Sequence, residues 1–485
     1  MFFNPRALLR HILLFFGYGL LGAFVTMTVV FLVTLEKRPD LEPWHTADLD
    51  EEFTAESDIH DLESYLRLED RLFGQLDRLV YDKTGAAEDD LSNRFKRGSL
   101  TDPNRWSTNW NRTFEFPSDA PTAVVLLIHG LSDSPYSMRS IGMDLHEAGA
   151  QVLGLRVPGH GTSPSALVPV HWRDMAAAVR LAMVDLSGRF PGVPIHIVGY
   201  SNGAALAVNY ALSSVENEQL PKVDRIVLLS PQIGVTSLAA FAVWQARLGY
   251  LLGLDKVAWN EILPEYDPFK YGSFAVNAGD VSYRITVEIQ RQLDVLDEEN
   301  LLALLPPILA FSSVVDATVR ATDLVNHLFD RLERGDHELV IYDVNRMVGI
   351  RALYDMAPQA LIDAVQKKIP RNFSLSILTN VNSNSRFIVA RDWPAGSSSF
   401  GEEPLGVAWP EDVFSLSHVA LPFPADDPLY GRQSGVSDAG ITLGNLAFRG
   451  ERGTLLVTPA AMLRQRSNPF YDYQQQRIQE FLGLR

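Results

Sequence analysis

The segment Gly199-Tyr200-Ser201-Asn202-Gly203 lies between a buried-strand pattern, Ile195-His196-Ile197-Val198, and a small-residue helix start, Ala204-Ala205-Leu206-Ala207. A strand that turns straight into a helix needs glycine where the two backbones approach, because no Cβ fits there. The same turn lifts the serine Oγ clear of its neighbours, and the helix N-terminus beneath it favours negative charge on reacting atoms. Gly199 and Gly203 therefore read as the flanks of a nucleophile elbow, with Ser201 as the nucleophile. The plainer alternative is a glycine turn whose serine only caps the helix.

Composition narrows the chemistry. The chain has no cysteine, which excludes disulfides, thiolate metal sites and a cysteine nucleophile. Neither an HExxH pattern nor a dinucleotide-binding glycine motif is present, so no metal and no organic cofactor is expected. At 46% hydrophobic and 21% charged residues, the 485-residue chain has the profile of a globular protein. Its formal net charge is −17, although Arg6, Arg10, Lys37 and Arg38 outnumber Glu36 at the N-terminal end, so the remainder is more acidic still. Such a surface repels phosphate backbones, and nucleic acid is excluded as a partner.

Ile12 to Leu35 runs 24 residues without a charge, long enough to cross a hydrocarbon core of about 30 Å. No small-x-small cleavage site follows it, since Val29-Val30-Phe31-Leu32-Val33 leads straight to Glu36-Lys37-Arg38. The segment reads as an uncleaved transmembrane signal anchor. Two basic residues flank each side, and the free α-amino group favours a cytoplasmic N-terminus, with the remaining domain on the periplasmic or other extracytoplasmic side. Residues 36–56 are acidic and polar and read as a linker. Leu62, Tyr65, Leu66, Leu68, Leu72, Leu76 and Leu79 then predict a helix over Ser57 to Tyr81 packed on the main domain, followed by an irregular stretch to about residue 111.

From Phe114 strand and helix patterns alternate. Ala123 to Ile128 is an apolar run ending in His129-Gly130, Gln151 to Val157 enters Pro158-Gly159-His160-Gly161, and Arg225 to Leu229 ends in Ser230-Pro231. Between them lie the helical segments Met138 to Ala148, Trp172 to Phe190 and the one after Ser201. Apolar strands separated by amphipathic helices imply an α/β fold: a mostly parallel central sheet with helices on both faces and a site at the strands' carboxyl ends.

Leu127-Ile128-His129-Gly130-Leu131, Pro158-Gly159-His160-Gly161 and Gly199-Tyr200-Ser201-Asn202-Gly203, in that order, resemble the α/β-hydrolase superfamily. Within it the chain is similar to the branch of monoacylglycerol lipases, carboxylesterases and serine-aminopeptidase-like hydrolases. The similarity covers residues 112–232, returns near 306–318 and 415–424, and is not evident in the first 110 residues.

A serine needs an adjacent base at neutral pH, and histidine is the natural one. The resemblance implies a base in a late segment, which selects His418 in Phe414-Ser415-Leu416-Ser417-His418-Val419. His129 and His160 read instead as loop histidines bonded to backbone. The family acid follows the strand Pro307 to Phe311, which selects Asp316; its plainer reading is a helix cap for Thr318 to Phe329, and Asp343 is the runner-up. The resemblance assigns the oxyanion hole to the backbone N–H groups of Leu131 and Asn202.

Two insertions depart from the family pattern. Residues 233–305 occupy the usual place of a cap and carry Phe241, Trp244, Leu248, Tyr250, Leu251, Leu252, Leu254 and Trp259, apolar lining for acyl substrates or the cap's own core. Residues 346–413 hold the strand patterns Leu375 to Leu378 and Arg386 to Val389 and a glycine- and serine-rich loop at 395–401, which extend the sheet or build an accessory lobe. The expected organisation is a short N-terminus (1–11), an anchor (12–35), a linker (36–56) and an extension (57–111). A core in two parts (112–232 and 306–345), the cap (233–305) and the accessory insertion (346–413) follow. A closing segment (414–485) brings the histidine loop and a final helix from Tyr471 to Leu482.

The function expected is a membrane-anchored serine hydrolase cleaving lipid-like or other small-molecule carboxylic esters by a Ser201–His418–Asp316 acyl-enzyme mechanism. One alternative is an aminopeptidase-like amide hydrolase using Glu261, Glu265 or Asp267 to bind a substrate ammonium. Another is a catalytically silent hydrolase fold serving as a binding module.

Overall fold

The protein is seen in a computed structural model that describes residues 5–85, 92–234, 255–347, 359–367, 371–432, 441–444 and 463–484. Among the described residues the N-terminal part holds the α-helices α1 (Pro5–Glu36), α2 (Pro43–Thr46), α3 (Leu62–Leu76) and α4 (Asp82–Thr84). From Leu13 to Thr34 α1 is exposed throughout.

A ten-stranded sheet forms the body. Its members are β1 (Phe114–Phe116), β2 (Ala123–Ile128), β3 (Ala150–Leu155), β4 (Ile195–Tyr200) and β5 (Arg225–Leu229), then β8 (Ile308–Ser313), β9 (His337–Tyr342), β10 (Phe373–Asn380), β11 (Phe387–Trp393) and β12 (Gly401–Ala408). Strands β6 (Trp259–Glu261) and β7 (Phe274–Ala275) pair separately as a short ribbon. The spatial order is β1-β3-β2-β4-β5-β8-β9-β10-β11-β12. Pairing is parallel from β3 across to β10 and antiparallel at both ends.

Every residue of β2, β3 and β4 is buried. That explains their unbroken apolar runs, because helices cover both faces of a parallel sheet. Val124, Leu126 and Ile128 pack into one helical layer and Val125 and Leu127 into the other. The first layer includes α6 (Trp172–Arg189) and α7 (Asn202–Glu216). The second includes α5 (Tyr136–Glu147) and the C-terminal helix Tyr471–Leu482. The chain runs from β2 to β3 on one side and then crosses to β4 on the other, so strand order reverses between β2 and β4. In open α/β sheets the ligand crevice opens at such a reversal.

Three sequence expectations change. The stretch read as a linker (36–56) is packed, with Trp44, His45, Leu49 and Phe53 buried, because its few apolar residues find the grooves beside α3 and the domain body. The helix expected over Ser57 to Tyr81 starts at Leu62 behind an Asp61 cap, whose side chain accepts from the Ser64 N–H at 2.7 Å, and loosens into a wider turn over Asp77–Tyr81. The later part of the expected cap is a 23-residue helix, Val276–Glu298, that belongs to the first helical layer. Its Ile285, Ile289, Leu293 and Leu296 are buried, and Gln292 bonds Asn209 and Ser213 of α7. Of the cap aromatics, Trp259 is buried in the core, while Phe241, Trp244, Leu248, Tyr250, Leu251, Leu252 and Leu254 lie outside the described residues.

The insertion after β9 extends the sheet. Its two expected strands are β10 and β11, and β12 follows at the edge. Glu402, Glu403 and Pro404 hide β12 from a strand pattern, yet charges and proline suit an edge strand that must not pair with another chain.

Candidate active site

Ser201 sits at the β4–α7 junction with φ 55° and ψ −114°. A non-glycine residue enters this region only under constraint. The constraint is visible in the flanking glycines. A Cβ on Gly199 would lie 2.5 Å from the Gly203 carbonyl oxygen, and one on Gly203 would lie 2.2 Å from the carbonyl oxygen of Ile128. The Ser201 N–H donates to the Leu229 carbonyl at 2.9 Å, tying the turn to β5.

His418 arrives from a short helical turn, His418–Ala420, more than 200 residues away in sequence. Its Nε2 lies 3.1 Å from Ser201 Oγ and its Nδ1 2.9 Å from Asp316 Oδ2. All three residues are buried. Asp316 is not the helix cap of the plainer reading, because the helix there is Ala321–His327 with Arg320 at its cap; the other Asp316 oxygen instead accepts from the N–H groups of Thr318 and Val319, in the turn before that helix, at 2.8 and 2.9 Å. Burial pushes the Asp316 carboxyl up, but the histidine's charge and hydrogen bond, with the two amides, outweigh burial and hold it below the ordinary carboxylate range. Asp343 is engaged elsewhere, accepting from Thr379 Oγ1 at 2.7 Å and pairing with Arg346. The Tyr200 ring lies 5.3 Å from the His418 ring and limits its movement.

Asn202 opens α7, so its N–H is one of those that lack an intrahelical acceptor. Leu131 follows the β2 turn, which is held from behind. His129 Nε2 accepts from the Val157 N–H at 3.0 Å, and its Nδ1 donates to the Gly130 carbonyl at 2.9 Å. His160 Nδ1 donates to the Pro158 carbonyl at 3.0 Å. Both histidines are thus loop structure. Burial, the largest influence on each, lowers both, His160 to about 4, so they stay neutral at ordinary pH. Among the described residues no group of three or more histidine, aspartate or glutamate side chains is placed to hold a metal ion.

A buried Ser–His–Asp line on an elbow at the strand-order reversal of a parallel sheet decides the fold, and residues 119–344 match the family model of serine aminopeptidase, S33. This is the α/β-hydrolase fold. Similar solved structures include one from the metagenome-derived lipolytic enzymes LipS and LipT, at 19% identity and TM-score 0.37 over 53% of this chain and 98% of that one. The monoacylglycerol lipase of Paleococcus ferrophilus is 17% identical, with TM-score 0.36 over 48% and 88%. A soluble variant of the Saccharomyces cerevisiae monoglyceride lipase is 13% identical, with TM-score 0.36 over 48% and 82%. No curated protein matches the chain.

Near the serine the fold has a cleft of about 300 Å³. Ser132, Tyr200 and Val419, each next to a residue assigned above, line it together with Tyr266, Lys270, Phe423, Tyr430, Arg464 and Arg466. Sequence reading missed these wall residues, because they come from segments with no motif of their own. Two of the carboxylates considered for binding an ammonium are already engaged. Glu265 accepts from the N–H groups of Gly272 and Ser273 at 2.9 and 2.8 Å, and both Asp267 oxygens accept from the Tyr430 hydroxyl. Glu261 alone of the three stays exposed.

Proposed function

We propose that this chain is a membrane-anchored serine hydrolase that cleaves carboxylic esters through an acyl-enzyme. The observation that carries the reading is the line from Asp316 Oδ2 through the His418 ring to Ser201 Oγ, with links of 2.9 and 3.1 Å. Ser201 Oγ attacks the ester carbonyl carbon while His418 Nε2 takes its proton, and Asp316 stabilises the imidazolium. The new oxyanion faces the N–H groups of Leu131 and Asn202, where losing one donor costs on the order of 3 kcal/mol in the barrier. Collapse breaks the bond to the alcohol oxygen, which leaves with the proton from His418. Water then gives a proton to the same nitrogen as its oxygen attacks the acyl carbon, and Ser201 recovers the proton when the acid departs. These steps use side chains and main-chain N–H groups alone.

The exposed α1 supports the anchor. It offers 24 residues, Leu13–Glu36, long and apolar enough to span a bilayer. Arg38, two residues past its end, donates to the Lys256 carbonyl at 2.9 Å, so the anchor leads into the domain without a free tether. With a cytoplasmic N-terminus, the hydrolase domain faces the extracytoplasmic side.

The test is fluorophosphonate labelling of the full-length chain, with the modified residue mapped by mass spectrometry. Labelling at Ser201 that is lost in Ser201→Ala and His418→Ala is expected. A folded chain that takes no label, or takes it elsewhere, overturns the reading in favour of a binding module. Faster turnover of aminoacyl arylamides than of acyl esters would replace the esterase reading with the aminopeptidase one.

A further inference from the structure

The cleft carries acidic and basic side chains in equal number, but not all of them are paired. Its walls carry Asp133, Glu261, Asp267, Lys270, Arg464 and Arg466. Four of these neutralise one another: Lys270 Nζ is 3.1 Å from Asp133, and Arg466 Nη1 is 3.8 Å from Asp267. Arg466 is further occupied by the Tyr266 hydroxyl at 3.0 Å. Glu261 and Arg464 are both exposed at the mouth of the cleft, and Glu261 has no bond to a residue of the Ser201–His418–Asp316 segments among the described residues.

Arg464 remains. Its hydrogen bond among the described residues goes to a neutral group, the Thr318 hydroxyl, from Nη2 at 3.0 Å, and no described carboxylate lies within ion-pair distance. Thr318 is itself fixed, because its N–H donates to Asp316 Oδ1 at 2.8 Å. The guanidinium is thereby tethered two residues from the acid that orients His418. It is also near enough to Tyr200, the neighbour of Ser201, to oppose the upward push that burial gives that phenol. A guanidinium stays charged at any working pH, and its fork of donors matches the paired oxygens of a carboxylate or phosphate. Held by a single hydroxyl among the described residues, Arg464 has most of that fork available to a ligand in the cleft.

Resting on the esterase reading, we infer that the cleft takes anionic esters, whose acyl or alcohol part carries a carboxylate or phosphate that Arg464 binds. Arg464 is then a specificity-determining residue. Two pairs of substrates test this in the purified full-length chain. One pair is a p-nitrophenyl ester with an ω-carboxylate on the acyl chain and its methyl-ended counterpart. The other is an acyl ester of glycerol phosphate and the same ester of glycerol. In at least one pair the charged member is expected to have the higher kcat/KM, mainly through a lower KM. Arg464→Gln is expected to reduce that charged-to-neutral ratio about tenfold, the scale of one charge-assisted hydrogen bond, and Arg464→Lys to restore part of it. The arm that responds tells a carboxylate on the acyl side from a phosphate on the alcohol side. Ratios near one in both pairs, or ratios that Arg464→Gln leaves unchanged, overturn the inference. Fluorophosphonate labelling of Ser201 in the same preparations separates the two failures: label without charge preference sinks this inference alone, and absence of label sinks the esterase reading beneath it.

Discussion

Glu52 and Arg156 form a bidentate ion pair across 104 residues of sequence, with Nη2–Oε1 at 2.9 Å and Nη1–Oε2 at 3.0 Å. Arg156 is fully buried, and Glu69 of α3 takes its Nε at 3.0 Å. The same guanidinium donates to the His160 carbonyl, and Glu52 also accepts from the Gly159 N–H at 2.9 Å. The N-terminal extension, which the family match at 119–344 leaves out, thus grips the Pro158–Gly161 loop. That loop adjoins Val157, whose N–H holds His129 behind the Leu131 turn.

Removing Glu52 leaves Arg156 its pair with Glu69 but strips two charge-assisted hydrogen bonds from the buried guanidinium and the acceptor from the Gly159 N–H, a loss of about 3 kcal/mol. Glu52→Ala is therefore expected to lower the urea midpoint clearly, whereas Glu63→Ala, at an exposed surface pair, costs well under about 1 kcal/mol of stability and leaves the midpoint almost in place. Urea melts of both variants check this. A truncation that begins after Glu56 should behave like Glu52→Ala, and one that begins at Pro43 should not.

Asp316 and Asp343 can be told apart by kinetics. Asp316→Asn deprives His418 of the carboxylate that fixes its tautomer and is expected to lower kcat on the order of 10⁴-fold while leaving KM near its original value. Asp343→Asn is expected to keep kcat within a factor of about three, any loss appearing as stability. Equal losses from the two substitutions would refute the assignment of the acid.

Gly203→Ala is expected to prevent folding of the elbow. Its Cβ would meet the Ile128 carbonyl oxygen at 2.2 Å, backbone that cannot step aside without breaking the β2–β4 pairing. Loss of soluble, labelled protein at temperatures where Ser201→Ala stays folded is the outcome to look for.

Asp144 supplies a pH signature. Burial raises its carboxyl to about 6, only partly offset by the Tyr471 hydroxyl that donates to it at 2.8 Å. The native state then binds the proton more tightly than the unfolded chain, so stability falls as pH rises from about 4 to 6 and is flat above. Asp144 is half-buried and partly screened, so the change is on the order of 1–2 kcal/mol. Asp144→Asn is expected to raise Tm above pH 6 and to flatten this part of the profile. An unchanged slope in a pH series of thermal melts would refute it. Asp316 has the opposite sign: its contribution is present above the ordinary carboxylate range and is lost only as pH falls below it.

What sequence determined about this protein lies where the physics is local. Strands β2 to β5 are legible because a sheet buried on both faces demands continuous apolar runs, and Gly199 and Gly203 because a strand-to-helix turn excludes a Cβ within a few residues. His418 and Asp316 could be named from order and family resemblance, but their distances to Ser201 depend on how β8 and the late loop pack. Tertiary structure alone decided the rest. The segment 36–56 carries polar residues that read as solvated, and only the buried Arg156 gives Glu52 a reason to go inside. The helix Val276–Glu298 shows the same amphipathic stripe whether it caps a site or covers a sheet, and only the neighbouring α7 selects between them. Arg464 has no pattern at all, since a side chain left without a carboxylate among the described residues is defined by what the other described segments fail to bring near it. Periodicity and steric exclusion are written within a few residues of chain; charge pairing and burial are settled between segments hundreds of residues apart.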